Sequence, residues 1–378
     1  MRHRGHGEGS IYERSDGRWV ANLTIQTGKR KYFYGTTRKE VQEKLRKAQR
    51  ELELGKLATG PQQTLKNFLE YWLRIRKPAI KQSTYVSYRE CIKNHIIPGL
   101  GHIQLQKLTG DQIQGFYTEE QGKVSANVVR LLHTILRIAL ADAVKWKRLS
   151  TNPCSDVEPP RHQKHQIEVL TIEQAKKLLD AAQSHRLEAL LTVAITTGMR
   201  RGELLALRWE DIHFETKSLQ VKHTVSYINP DGRYMFIETE PKTASGTRNI
   251  MLPTFVIDLL KQHRTRQLES RLQAGEQWKE RNLVFPNTLG NYIAIPHLRL
   301  LFKQLLARAG LPASIRFHDL RHSAATILLA MGVNPKIIQE ILGHADIRIT
   351  MNIYSHVLPS MQREVMDNMD TLFRENGL

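Results

Sequence analysis

The sequence has 378 residues, 40% apolar and 25% charged, with 56 Lys+Arg against 37 Asp+Glu for a net charge of +19. This composition excludes a mostly disordered chain, and the lack of any apolar run of about 18 residues excludes a membrane-spanning helix. Two cysteines, Cys91 and Cys154, cannot build a disulfide framework and fit a reducing compartment.

A positive excess of this size points to a polyanionic partner, nucleic acid before an anionic membrane surface. Residues 1–60 carry 14 basic and 7 acidic side chains, and residues 61–160 carry 14 and 8, so basicity is densest in the first 160 positions. The segment Met1–Gly7 is polar, and no signal peptide is expected.

In chain order, Ser10–Arg14 reads as a strand closed by an Asp16-Gly17 turn. Trp19, Ala21, Leu23 and Ile25 then alternate with Val20, Asn22, Thr24 and Gln26, the period of a second strand. Gly28-Lys29 turns the chain into a third, Arg30–Tyr34. Thr37 and Glu40 have capping-box spacing and open a helix to about Leu54. The basic residues and tyrosines of this small sheet suit a surface that docks in a DNA groove.

Gly55–Gln63 reads as a linker, and residues 64–150 as all-helical. Leu65, Phe68, Leu69, Trp72 and Leu73 recur at helical spacing. Ser83 is expected to cap a helix to about His95, stopped by Pro98-Gly99. Thr109 caps another to about Glu120, and the longest runs from Ser125 to Arg148. The tract from Thr151 through Pro159-Pro160 to His165 reads as an extended linker. From Leu170 a larger domain begins. Its helices are expected over 172–183, 187–197, 201–208, 254–273, 297–309, 318–331, 335–342 and 347–355, with strands between about 218 and 252.

Four clusters in that domain carry chemistry. In Thr197-Gly198-Met199-Arg200-Arg201-Gly202-Glu203 a glycine ends one helix and Arg200 opens the next, a good anion site, with Glu203 placed to orient Arg200. Lys242 lies beside a hairpin turn at 244–246. In His318-Asp319-Leu320-Arg321-His322, His318 and Arg321 are i,i+3 neighbours suited to a phosphate. The i,i+4 pair His318/His322 also suits a metal, but no H-E-x-x-H glutamate accompanies it and Arg321 would repel a cation. Finally Leu342-Gly343-His344 precedes Tyr354 by ten residues.

The ordered set Arg200, Lys242, His318-x-x-Arg321, His344 and Tyr354 resembles the tyrosine recombinase (phage-type integrase) family over about residues 170–378. The resemblance implies a multidomain α+β protein with four parts. Residues 1–60 form an arm-type DNA-binding domain of three strands plus a helix. Residues 64–150 form an all-helical core-binding domain, 151–169 a linker, and 170–378 a mixed, mainly helical catalytic domain with a small antiparallel sheet, the DNA breaking-rejoining enzyme fold. The arm-type segment resembles those of temperate-phage and integrative-conjugative-element integrases.

The implied activity is site-specific DNA recombination through a covalent 3′-phosphotyrosine on Tyr354. Arg200 and Arg321 would clamp the phosphate, Lys242 would protonate the leaving 5′-oxygen, His318 would assist proton transfer and His344 would donate a hydrogen bond. Glu203 fills the family's acidic position; Arg201, His322 and His356 are neighbours without an assigned role. No cofactor and no metal are implied. The expected partners are double-stranded DNA at core and arm sites, a homotetramer on that DNA using the amphipathic tail Leu358–Leu378, and an accessory excisionase or DNA-bending protein. The expected location is cytoplasmic and nucleoid-associated. The rival readings are a type IB topoisomerase-like enzyme and a catalytically silent DNA-binding regulator.

Overall fold

The computed structural model describes residues 9–24, 30–53, 62–161, 168–230, 233–239, 247–344 and 346–348, with the single positions 351 and 366. Lys242, Tyr354 and His356 lie outside the described residues. So do the turns expected at 28–29, 231–232 and 244–246, most of the helix expected over 347–355 and, apart from residue 366, the tail 358–378. The chain divides into two compact units, Met1–Lys164 and His165–Leu378.

In the first unit, β1 (Ser10–Glu13), β2 (Trp19–Thr24) and β3 (Arg30–Gly35) form an antiparallel meander backed by α1 (Arg38–Glu53). Strand alternation sorts the side chains. Ala21, opposite Ile11 and Phe33, is buried with Leu23 against Val41, Leu45 and Ala48 of α1. Tyr12, Val20 and Tyr34 form a cross-strand row on the other face, where Tyr12, Tyr32 and Tyr34 are exposed. The capping box expected at Thr37 is only half made. Thr37 Oγ1 accepts the Glu40 N–H at 3.3 Å, but the Glu40 carboxylate reaches past Thr37 to the Thr36 N–H at 2.9 Å and also pairs with Lys44.

A separate core is built by α2 (Leu65–Arg76), α3 (Gln82–Cys91), α4 (Ile97–Leu100), α5 (Gly110–Gln121) and α6 (Ala126–Lys145). Leu65, Phe68, Leu69, Trp72 and Leu73 of α2 are buried, whereas Ile75 is exposed, and Trp72 Nε1 donates to Asp142 Oδ2 of α6 at 2.8 Å. Thr109 and Gln112 complete a capping box at the start of α5.

Two expectations fail in this core. Ser83 is not a cap, because the helix already starts at Gln82 with Lys81 at the N-cap. Pro98 does not stop the helix either: α3 passes through one π turn, Ile92–Ile96, into α4, with Pro98 in α4's first turn. A proline lacks the N–H that an interior helical position donates. The π turn shifts the hydrogen-bond register just before it, so the chain continues past that residue. The proline-flanked tract after residue 150 is also packed rather than extended at its start. Cys154 and Val157 are buried in the helical core, Asn152 Nδ2 donates to the Arg137 carbonyl, and Arg130 Nη1 donates to that of Pro160.

The second unit is a mainly helical body. Its helices are α7 (Ile172–Ala181), α8 (Glu188–Thr197), α9 (Arg201–Ala206), α10 (Thr254–Ala274), α11 (Ile295–Arg308), α12 (Asp319–Ala330) and α13 (Pro335–Leu342). Thr171 and Gln174 cap α7 reciprocally. Helix α8 is buried on nearly every face, which its EALLTVAITT sequence allows, and it lies against α10 and α12.

The strand region does not form one sheet. β4 (Ile212–His213), β5 (Ser218–Val221) and β8 (Arg248–Met251) pair antiparallel in that order, while β6 (Thr224–Ile228) and β7 (Met235–Thr239) make a separate hairpin inserted between β5 and β8. No helix among the described residues is long and apolar enough to cross a membrane.

Candidate functional site

The second unit brings together the ends of α8, α12 and α13. Helix α8 stops at Gly198, which adopts a left-handed conformation at φ +61°. A Cβ there would strike the Leu342 side chain of α13 and lie 3.3 Å from Ala324 Cβ of α12, so only glycine lets these three elements converge. Two residues later Arg200 occupies the N-cap of α9. Gly202 makes a second close approach: a Cβ would lie 2.6 Å from the Val225 carbonyl oxygen of β6.

Glu203 is the organising anion. It is buried, its Oε1 accepts from Arg200 Nη1 at 2.8 Å, and its Oε2 accepts the Arg200 backbone N–H at 3.0 Å. The pair is buried on its acidic side only: the Glu203 side chain is 4% exposed and that of Arg200 42%. Burial raises the Glu203 carboxyl, but the Arg248 and Arg200 guanidinium groups outweigh that and hold it below the usual carboxylate range. Arg200 Nη2 donates to the Gly343 carbonyl at 3.0 Å, which ties the turn before α9 to the turn carrying His344.

Arg321, on α12, is buried and donates from Nη1 to the Gly198 carbonyl at 2.7 Å. Its Nη2 is buried with no hydrogen-bond partner among the described residues. Burial first, and the neighbouring Arg200 charge second, push its guanidinium down to about 9. His344 follows Gly343, the left-handed C-cap of α13. It is buried, and its imidazole is pushed down to about 3 by desolvation and then by Arg321 and Arg200. His344 is thus a neutral ring at physiological pH, able to donate one N–H.

His318 is exposed at the N-cap of α12. Its ring centroid lies 5.4 Å from that of His322, edge to face. Desolvation, then His322 and Arg321, hold His318 below the ordinary histidine value, so it too is a neutral proton acceptor. Asp319 is fully buried and binds Arg316 through both oxygens, fixing the start of α12. Arg201, beside Arg200, is exposed.

Arg200, Glu203, Arg321 and His344 therefore meet in one place, with His318 one turn from Arg321 on α12. Lys242 and Tyr354 lie outside the described residues. The sequence motifs miss one participant, Arg248 of β8. Its side chain is 7% exposed, and it donates from Nη2 to Glu203 Oε2 at 2.9 Å and from Nε to the Ile341 carbonyl at 2.7 Å. The available signal was positional: Arg248 shares the inward face of an alternating strand with buried Ile250. No group of three or more His, Cys, Asp or Glu side chains that could hold a metal ion occurs among the described residues. Chemically, the cluster combines the guanidinium groups of Arg200, Arg321 and Arg248 with neutral imidazoles, an arrangement suited to a phosphodiester whose charge rises as it reacts.

The chain is similar to known proteins in both sequence and fold. Residues 168–361 match the sequence model of the phage integrase family, and residues 64–120 that of the phage integrase N-terminal SAM-like domain. A tyrosine recombinase XerC-like protein of Caldanaerobacter subterraneus subsp. tengcongensis is 35% identical over 365 residues, covering 91% of this chain and 92% of the relative. The Tn1549 transposon integrase, solved in complex with transposon right end DNA, is 21% identical. It superimposes with a TM-score of 0.68 over 82% of this chain and 100% of its own. A lambda integrase tetramer bound to a Holliday junction is 20% identical, with a TM-score of 0.56 over 89% and 95% of the two chains. At these identities the structures show a shared fold.

Proposed function

The chain belongs to the phage integrase family, and from that premise we propose that it is a site-specific tyrosine recombinase that integrates or excises a mobile DNA element. The observation that carries the reading is the buried Arg321 guanidinium, whose Nη2 has no hydrogen-bond partner among the described residues, held beside Arg200. A buried donor without a partner costs about 1–3 kcal/mol. An anionic non-bridging oxygen offsets that cost and becomes a stronger acceptor as negative charge builds in the transition state.

Tyr354 is the nucleophile. Its oxygen attacks the scissile phosphorus, the bond from phosphorus to the 5′-oxygen breaks, and a 3′-phosphotyrosine forms. The phenol proton passes toward neutral His318, and Lys242 supplies a proton to the departing 5′-oxygen. Arg200 and Arg321 hold the non-bridging oxygens through forked donors, and His344 adds an N–H. The phosphoester bond energy is retained in the phosphotyrosine, so a 5′-hydroxyl from a partner duplex reverses the step and reseals the strand without a nucleotide cofactor.

The remaining assignments follow from this reading. Residues 64–150 bind the crossover core, residues 170–378 carry the cleavage chemistry, residues 1–60 bind distal arm sites, and 151–169 are the linker. The protein assembles as a homotetramer on double-stranded DNA in the cytoplasm, and an accessory excisionase or DNA-bending protein sets direction. The lambda integrase tetramer on a Holliday junction supports the assembly by its likeness of fold. The test is a supercoiled plasmid carrying the direct repeats that flank the element encoding the protein. A deleted circle is the expected product. Relaxation without deletion assigns a topoisomerase-like activity instead, and binding without any nick assigns a silent regulator.

A further inference from the structure

We propose that Arg248 is a positioning residue for strand cleavage: it bridges the carboxylate that holds Arg200 to the carbonyl end of α13, and so fixes the turn that presents His344. The inference rests on the recombinase reading and adds to it a residue outside the catalytic set named above.

The geometry is a closed circuit. The Ile341 carbonyl accepts from Arg248 Nε, Arg248 Nη2 donates to Glu203 Oε2, Glu203 Oε1 accepts from Arg200 Nη1, and Arg200 Nη2 donates to the Gly343 carbonyl. Both ends of the circuit lie within three residues of one another at the carboxyl end of α13. Two guanidinium groups thus grip the last carbonyls of one helix, where cations are electrostatically favoured, and a single buried carboxylate sets the distance between them. His344 is the next residue in the chain.

A simple stabilising role explains this less well. The Arg248 side chain is 7% exposed and sits among like charges at Arg200 and Arg321, an expensive location for a cation. An apolar residue on the inward face of β8, where Ile250 already sits, would pack at lower cost. Only a forked cation reaches a carboxylate and a carbonyl at once, because lysine offers a point charge on a single stem. Arg248 also opens the strand that follows the segment holding Lys242, six positions earlier. One side chain therefore anchors the strand downstream of the proposed general acid and the turn bearing the proposed phosphate donor.

The test uses full-length protein and a nicked suicide duplex that traps the covalent adduct, with DNA affinity measured on the same duplex. Arg248→Ala is expected to bind DNA within about twofold of wild type, while single-turnover adduct formation slows by roughly 10- to 100-fold, the range seen when a partner that orients a reacting group is removed. Added guanidinium, compared with sodium chloride at equal ionic strength, is expected to restore part of the rate. Arg248→Lys, able to reach one acceptor, is expected to cleave between the two, and it carries the test alone if the alanine variant does not fold.

Wild-type cleavage by Arg248→Ala or Arg248→Lys overturns the inference. So does a loss of affinity equal to the loss of rate with no rescue by guanidinium or lysine. If wild-type protein itself forms no adduct, the recombinase reading fails, and that failure is separate from any result at Arg248.

Discussion

Arg321 Nη1 donates to the Gly198 carbonyl at 2.7 Å, so the helix bearing one guanidinium is bonded directly to the turn that launches the other, at Arg200. The two arginines are 121 positions apart in sequence, yet their spacing depends on a single backbone carbonyl in a left-handed turn. The preorganisation of the site is therefore a property of Gly198 as much as of the charged residues.

Gly198→Ala tests this. An L-residue at φ +61° costs about 1–2 kcal/mol, and the new methyl would collide with Leu342, adding about 1–3 kcal/mol of overpacking. The variant is expected to melt several degrees below wild type and to lose more cleavage than DNA affinity. An unchanged melting temperature with full cleavage would show that the turn is not strained.

His344 gives stability a pH dependence of fixed sign. Its folded value is about 3 against an ordinary 6.5, so the unfolded chain takes up the proton first. The contribution is complete above about 6.5 and is lost as pH falls toward 3. His318 and His322 are displaced the same way, by partial desolvation of their rings and by the neighbouring Arg321. Urea unfolding at about pH 7.5 and about pH 5 is expected to show a marked acid loss in wild type, shrunken but still present in His344→Asn. Equal losses in the two proteins would contradict the neutral, buried ring.

How much of this was legible in the sequence depended on whether a signal was local. The cap at Thr109 could be read because the Gln112 N–H that it accepts lies within one turn, although the return bond from the Gln112 side chain was not foreseen. The inward set Ala21 and Leu23 followed from alternation alone. Pro98 misled because a π turn five residues long absorbs the missing donor, and nothing in Ile92–Ile96 announces it. Arg248 could not be recognised from its neighbours, since its partners are 45 and 93 positions away. The Arg200, Arg321 and His344 motifs were found by residue type and order, but the carbonyls of Gly198, Ile341 and Gly343 that accept from Arg321, Arg248 and Arg200 have no side-chain signature.

Cys154 probes the packing of the tract after residue 150. It is buried, its thiol is pushed up to about 11 by desolvation, and it lies beside Tyr117, whose hydroxyl meets His133 Nδ1 at 3.1 Å. A thiol reagent at neutral pH is expected to leave Cys154 unmodified in native protein and to label it at the rate at which residues 62–161 unfold. Fast labelling would mean that the tract is a loose linker from residue 151 onward.

Deleting residues 1–60 tests the division of labour in DNA binding. With Tyr12, Tyr32 and Tyr34 exposed on one face of the small sheet, the deletion is expected to weaken binding at distal arm sites more than at the crossover core. Affinity at both should fall steeply between about 50 and 200 mM salt if roughly 6–10 phosphates are contacted. Equal loss at both classes of site would contradict a separate arm-binding module.

The most direct measurement is mass-spectrometric mapping of the covalent adduct trapped on a nicked duplex by wild-type protein and by Tyr354→Phe. The account predicts a nucleotide phosphate attached through its 3′ end to Tyr354 in wild type. It predicts no adduct in Tyr354→Phe, although that variant still binds the same duplex. An adduct on any other residue, or one that survives Tyr354→Phe, would contradict it.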